Sequence, residues 1–316
     1  MIKYIYSILN TSNPNLSIFK FLVILAIIFI IYKVFKHYQI LHVSKEGFTQ
    51  DVPFIYKKDS EMYDEFYCQI YDKIHLPKHR IGHELINIVN ITEPTAFSSV
   101  FLDVGSGTGA TVNELSKAGY RAYGIDISEA MVKYSEELYP DNEYQWGDVT
   151  EPMTFDKFTF THILCTYFTI YQFEDKRMFF YNCNSWLMPH GFLILHLVNP
   201  EKYDTIIPAV KSKLKVNPHK YEKDRITDSI IEFKEFQYKI NYNFKKIKKK
   251  KLLVTETFTD NNTKNVRKNE QTLYMDSITD ILSIAKNAGF IIHAKFNMKS
   301  CIDDKHQYIY ILEKGN

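Results

Sequence analysis

The chain has 316 residues, 45% apolar and 15% aromatic, enough for one domain of about 250 residues or two smaller ones. Its 39 basic and 37 acidic side chains leave a formal charge of +2, too balanced to point to nucleic acid. The four cysteines, Cys68, Cys165, Cys183 and Cys301, are far apart and read as free thiols in a reducing compartment; there is no CxxC cluster or HExxH, so no metal site is expected.

Residues 1–15 form a short tail. The run LSIFKFLVILAIIFIIY, Leu16 to Tyr32, carries Lys20 as its one charge. Extended by Val34 and Phe35, it approaches the ~20 residues that cross a bilayer core at ~1.5 Å per residue. No small-residue cleavage site follows, so residues 16–35 are expected to form an uncleaved transmembrane helix. Lys33, Lys36 and Lys45 follow the span while Lys3 and the amino terminus precede it. The positive-inside tendency then makes this a single-pass membrane protein whose main part faces the cytosol. Residues 36–52 are a linker to a domain at 53–316.

DSEMYDEFYCQIYDKIH, Asp59 to His75, places Met62, Phe66, Ile70 and Ile74 four apart, which is helical spacing. Tyr63, Tyr67 and Tyr71 form a neighbouring stripe, either core or ligand-facing. A second helix is expected over His79 to Ile91. From Ser99 the pattern turns to alternating strands and helices. SVFLDVG is a short apolar run ending in Asp and Gly, as in a buried parallel strand. Ala110 to Gly119 is a helix with a glycine stop. RAYGIDI is a strand, Ser128 caps a helix through Tyr139, EYQWGDV and FTHILCTYF are strands, YQFEDKRMFFYNCNSWLM is a long helix, and Pro189, His190 and Gly191 turn into the strand FLILHLV. This is a doubly wound, mostly parallel α/β sheet.

After Asn199 the rhythm changes. EFQYKINYNF, LLVTETFTD and TKNVRKNEQTLYM alternate with period two, predicting an antiparallel insert at 201–274. The basic run at Lys245, Lys246 and Lys248 to Lys251 reads as a solvated edge or as a contact for anionic lipid. A helix from Ser277 to Ala288 and strands at Phe290 to Phe296 and Gln307 to Leu312 complete the chain.

The stretch carrying chemistry is DVGSGTG. Asp103 ends a strand, and Gly105, Gly107 and Gly109 form the turn into a helix. A Cβ at Gly105 or Gly107 would push away a ligand lying over the backbone, and Gly109 lets the helix start close to the sheet. The spacing is G-x-G-x-G, where a dinucleotide fingerprint has G-x-G-x-x-G, and no Lys-Ser or Lys-Thr pair follows as in an ATP loop. Asp126 ends the second strand, where a carboxylate can accept both hydroxyls of a ribose, although NAD sites use an acid there too. Asp148 ends the third. Three acids thus lie at the carboxyl ends of adjacent strands, where open sheets bind ligands.

Phe101 to Gly109, GIDIS with Met131 beyond it, GDV at Gly147 to Val149, and Leu187, Pro189 and Gly191 in LxPxG together resemble the class I S-adenosylmethionine-dependent methyltransferases, a seven-stranded Rossmann-like family. The resemblance runs from Tyr56 to Leu312. It implies that Gly105, Gly107 and Gly109 hold the methionine part of S-adenosylmethionine, that Asp126 binds ribose, that Asp148 and Val149 contact adenine with Ile127 and Met131 packing its other side, and that Cys165 to Phe168 line the sulfonium end. It also implies a lid made of the tyrosine-bearing N-terminal helix and the insert, with Tyr63, Tyr67, Tyr71, Arg267 and Tyr274 as candidate residues facing substrate.

Methyl transfer is an in-line displacement that needs alignment and exclusion of water more than metal or acid. His196, after the fifth strand, is a candidate base or substrate ligand, and Tyr167 and Tyr171 are candidates to orient an amine. Strand four reads ILCTYFTIY in place of an NPPY-type motif, against adenine methylation in DNA. The expected partner is a small-molecule methyl acceptor, with methyl transfer to N or O. The rival readings are a protein methyltransferase, a catalytically inactive membrane-tethered binding protein and a nicotinamide oxidoreductase.

Overall fold

The computed structural model describes residues 52–212 and 225–315, together with Leu25, Ile28, Phe29 and Lys33. The chain divides into two units, Met1–Thr49 and Gln50–Asn316. The tail at 1–15, the linker to residue 51 and nearly all of the apolar run at 16–35 lie outside the described residues, and among the described ones no helix is long and apolar enough to cross a membrane.

The second unit begins with β1 (Phe54–Lys58), then α1 (Glu65–His75) and α2 (Pro77–Thr92). Asp64 caps α1, its carboxylate accepting from the Tyr67 N–H at 3.3 Å. Leu76, left-handed at φ 45°, separates the two helices, and Pro77 opens the second. The alternating part follows as β2 (Val100–Val104), α3 (Ala110–Lys117), β3 (Arg121–Asp126), α4 (Glu129–Leu138), β4 (Glu143–Trp146), β5 (Phe160–Cys165), α5 (Arg177–Trp186) and β6 (Leu187–Val198). Ser128 caps α4 as expected, accepting from Met131 N–H at 3.1 Å. After the short α6 (Pro208–Lys211) come β7 (Asp228–Glu232), β8 (Phe236–Asn243), β9 (Lys251–Asp260) and β10 (Val266–Tyr274), then α7 (Ile278–Asn287), β11 (Phe290–Met298), α8 (Lys299–Ile302) and β12 (Asp304–Lys314).

Seven strands form one sheet in the order β11-β12-β6-β5-β2-β3-β4. The five from β6 to β4 are parallel and β12 runs antiparallel between β6 and β11. β2 is central and wholly buried, which is why VFLDV is a continuous apolar run interrupted by one acid. Its Phe101 packs in a core with Ile88, Leu164, Ile194, Ile309 and Ile311. The order reverses at β2 and β5, and that switch point fixes where a ligand crevice opens.

Two local expectations differ. Pro189-His190-Gly191 does not precede the fifth strand but lies within it, as an irregularity where the register steps from Phe160 opposite Leu187 to His162 opposite Phe192; His190 takes φ 59° there. The long helix is shorter, starting at Arg177, with Thr169–Gln172 forming a separate 3-10 turn.

The insert is a second, five-stranded sheet, β1-β10-β9-β8-β7. β7 to β10 pair antiparallel as their alternation predicts, whereas β1 joins β10 in parallel from the other end of the domain. Within the basic run, Lys250 pairs with Asp276 at 3.1 Å and Asp280 at 2.8 Å, and Lys251 with Glu174 at 3.1 Å.

Candidate active site

The crevice is built from the carboxyl ends of β2, β3 and β4. The loop after β2 folds back on itself because Gly105, Gly107 and Gly109 all take positive φ, at 68°, 53° and 78°. Their roles differ. A Cβ on Gly105 would meet Thr169 Cγ2 at 2.7 Å, and one on Gly109 would meet the Tyr144 hydroxyl at 2.5 Å, so these two permit close packing. At Gly107 a Cβ would meet nothing within 4 Å, because the residue borders a cavity of about 320 Å³.

That cavity is lined by Asp103, Gly105, Gly107, Asp126, Ile127, Met131, Asp148 and Val149, eight of the residues assigned to the cofactor by sequence. Asp126 accepts from the Gly107 N–H at 2.8 Å through Oδ2 and from the Ser128 N–H at 2.9 Å through Oδ1. Burial raises its pKa, and those backbone donors oppose the rise. Burial pushes Asp103 up to about 7, opposed by a hydrogen bond from Thr111. Asp148 accepts from the Thr150 N–H and hydroxyl, both at 2.8 Å. Two polar atoms on this wall, Ser106 Oγ in the glycine loop and Arg80 Nε on α2, are buried with no hydrogen-bond partner among the described residues. An open cradle at Gly107, an acid at the end of β3 and two unsatisfied buried polar groups fit a polar, nucleoside-bearing ligand.

A second cavity of about 580 Å³ adjoins the first. Tyr63, Tyr71, Arg80, Tyr167, Gln172 and Gln271 line both. The tyrosine helix α1 reaches the glycine loop directly, since Asp72 accepts from the Thr108 hydroxyl at 2.7 Å. The helix expected from Asp59 starts only at Glu65, after a 3-10 turn at Asp59–Met62, so the insert reaches the segment before α1 through Gln271, which donates to the Tyr63 hydroxyl at 2.8 Å, and α1 itself through Tyr67, which donates to Glu256 at 2.8 Å. Tyr167 shares a 3.0 Å hydrogen bond with His75 Nδ1 and lies over the Arg80 guanidinium, 4.3 Å from ring centroid to carbon. Burial holds His75 down at about 3, so the ring is neutral at pH 7. Arg80 donates to Glu84 at 2.5 Å.

Tyr63, Tyr71 and Tyr167 therefore face both cavities, Tyr67 the larger and Tyr274 the smaller. Gly109, Cys165, Tyr171, His196 and Arg267 line neither. Cys165 is wholly buried, and Thr166 and Tyr167 behind it line the smaller cavity instead. Tyr171 bridges the end of β6, donating to Val198 O at 3.1 Å and accepting from Val198 N–H at 3.0 Å. His196 donates through Nε2 to Gln307 at 3.0 Å and packs on Phe168, and burial lowers its pKa to about 3. Arg267 binds Asp64 at 2.9 Å, Met62 O at 3.1 Å and Asn269 at 3.0 Å, which anchors the start of α1 to β10.

Arg80, Gln172, Glu256 and Gln271 line the cavities without having been singled out from sequence. A signal existed for two of them. Arg80 and Glu84 share the four-residue row of Ile88 on α2, and Glu256 shares strand parity with the buried Leu252, Val254 and Phe258.

A family model described as a methyltransferase domain matches residues 102–195. No curated protein matches the chain by sequence. Among solved structures, the CcbJ methyltransferase from Streptomyces caelestis is similar over 80% of this chain and 98% of its own, at 13% identity and TM-score 0.60. An S-adenosylmethionine-dependent methyltransferase from Clostridium acetobutylicum ATCC 824 is similar over 79% and 98%, at 16% identity and TM-score 0.59. An amino pentose methyltransferase of calicheamicin biosynthesis from Micromonospora echinaspora, solved with S-adenosylmethionine bound, is similar over 75% and 91%, at 16% identity and TM-score 0.53. At these identities the structures report the fold, while the domain match falls on the stretch from β2 to β6 that bears the glycine loop, Asp126 and Asp148. Residues 102–195 thus match a methyltransferase domain, and the fold around them is the one seen in S-adenosylmethionine-dependent methyltransferases.

Proposed function

We propose that the chain methylates a nitrogen or oxygen of a small molecule held in the larger cavity. The observation that carries this reading is the six-residue wall shared by the two cavities, which brings an acceptor chamber against the cofactor crevice under the insert. The similarity to an amino pentose methyltransferase supports a small acceptor.

S-adenosylmethionine supplies a methyl group already activated by its sulfonium. The residues that would hold it are the glycine loop, Asp126, Asp148 and Val149, with Ile127 and Met131 beside them. The remaining task of the protein is alignment and exclusion of water. Tyr63, Tyr71 and Tyr167 stand at the junction, and the hydrogen bonds from Gln271 and Gln172 to Tyr63 hold it in place. His196 and Tyr171, each fully buried and hydrogen-bonded to the β6 or β12 framework, brace that junction from behind. The apolar run at 16–35 is proposed to place the chamber beside a membrane, and extraction of the full chain from membranes by alkaline carbonate would count against that anchor.

The test is calorimetry on the full chain with S-adenosylmethionine, S-adenosylhomocysteine and NADH, followed by a screen with labelled methyl donor. Binding of the first two without NADH, and label transfer to small molecules, is the expected result. Transfer only to protein would overturn the small-molecule reading.

A further inference from the structure

Glu256 sits on the core-facing parity of β9 and is 2% exposed, yet it lines the larger cavity. Its Oε1 accepts from two phenols, Tyr67 at 2.8 Å and Tyr238 at 2.6 Å. Among the described residues its Oε2 has only the Asn269 amide, at 3.4 Å. It makes no ion pair with any described residue, and Arg267, the cation that acts on it through space, is spent on Asp64. The other charges on the wall are accounted for. Arg80 is paired with Glu84 and Asp204 with Lys211, at 2.5 and 2.9 Å, while Lys299 and Asp303 are exposed. Among the described residues, Glu256 is thus the buried carboxylate of the chamber wall that has no ion-pair partner.

A buried carboxylate without a cation is costly and either keeps its proton or waits for a partner. The two phenols donate to it, which favours the ionised form. Burial works the other way and raises its pKa, so the charge becomes stable when a cation arrives. Around it the chamber carries the rings of Tyr63, Tyr71, Tyr203 and Tyr242, whose faces attract cations and not anions.

We propose that the larger cavity selects acceptors bearing a basic amine, with the Glu256 carboxylate receiving the ammonium. This rests on the larger cavity being the acceptor chamber. It goes further in naming a chemical class and the residue that reads it.

The experiment is a thermal-shift screen, with hits titrated by calorimetry, of the full chain saturated with S-adenosylhomocysteine. The probes are matched sets of amines, alcohols and carboxylates on the same aromatic and sugar scaffolds, against wild type and Glu256→Gln. Hits confined to amines in wild type, about ten- to a hundred-fold weaker in Glu256→Gln, are the expected result. Alcohols or carboxylates binding as well as the amines, amine hits of undiminished affinity in Glu256→Gln, or no amine hit at all would each overturn the proposal. The wild-type series decides the class without relying on the variant's fold. Failure of S-adenosylhomocysteine itself to bind would instead sink the placement of the cofactor crevice.

Discussion

The Asp126 carboxylate accepts the Gly107 N–H at 2.8 Å, so the acid ending β3 is tied to the loop leaving β2. This bond joins the Gly105 and Ser106 N–H bonds to Ile125 O, at 2.8 and 3.1 Å, in holding the loop against β3. It also uses one lone pair of Oδ2, leaving the remaining acceptor capacity of the carboxylate for a diol.

Gly107→Leu tests the crevice. The position is left-handed and a Cβ there meets open space, so the chain folds with modest strain of about 1–2 kcal/mol. The leucine side chain fills the cavity, and affinity for S-adenosylmethionine by calorimetry falls roughly a hundred-fold or more. Unchanged affinity in a folded variant would place the cofactor elsewhere.

Gly109→Ala has the opposite signature. Its Cβ meets Tyr144 at 2.5 Å and Ser135 at 2.8 Å at a φ of 78°, so strain and overpacking combine to about 2–4 kcal/mol of lost stability. Urea unfolding measures this. A variant as stable as wild type would mean that α4 and β4 yield more easily than their packing implies.

Asp103 gives the protein a distinctive pH response. Its ordinary value of 3.8 rises to about 7 in the fold, so between those values the folded chain keeps a proton that the unfolded chain has lost. The contribution of this group to stability therefore declines as pH rises through that window and levels off above about 7. Asp103→Asn removes the decline, and the difference between variant and wild type, followed by unfolding from pH 4 to 8, isolates it. A cationic ligand beside the carboxylate favours its ionised form, so wild-type affinity for S-adenosylmethionine weakens below about pH 7 and that of Asp103→Asn does not. Parallel pH curves for the two proteins would refute both statements.

Tyr171→Phe separates support from chemistry. It strips the Val198 N–H and C=O of their shared partner, which costs about 1–3 kcal/mol, while cofactor affinity stays within a factor of two because the side chain lines neither cavity. His196 joins the same test by NMR: with a pKa held near 3, its ring shows no titration between pH 5 and 8. A midpoint near 6.5 would put it back among the candidate bases.

The legible part of the fold was the part whose chemistry is local. The glycine loop, Asp126 and the Ser128 cap are each specified within a few residues, and β8 to β10 announce themselves by alternation. What resisted reading depends on partners far along the chain. The five residues of β1 are half-exposed, with an eieie pattern and no apolar parity, and their place follows only from the free edge of β10. His196 resembles a base until Phe168, Gln307 and Glu84 close around it. Glu256 was hidden by habit: an acid in an alternating strand reads as the wet face, and only counting its parity against Leu252, Val254 and Phe258 moves it indoors.

The parallel pairing of Phe54–Lys58 with Val266–Lys268 and beyond joins segments more than two hundred residues apart. The residues lining the cofactor crevice lie between 59 and 174 except Gln271, Thr272 and Tyr274, whereas the acceptor chamber also draws on residues 203–212, 240–256 and 299–307. The chamber therefore needs both the insert, paired with the first strand of the domain, and the segment at 299–307, long loop closures that come late in folding. The donor side of the site is thus built from a nearly continuous stretch of chain and the acceptor side from scattered ones.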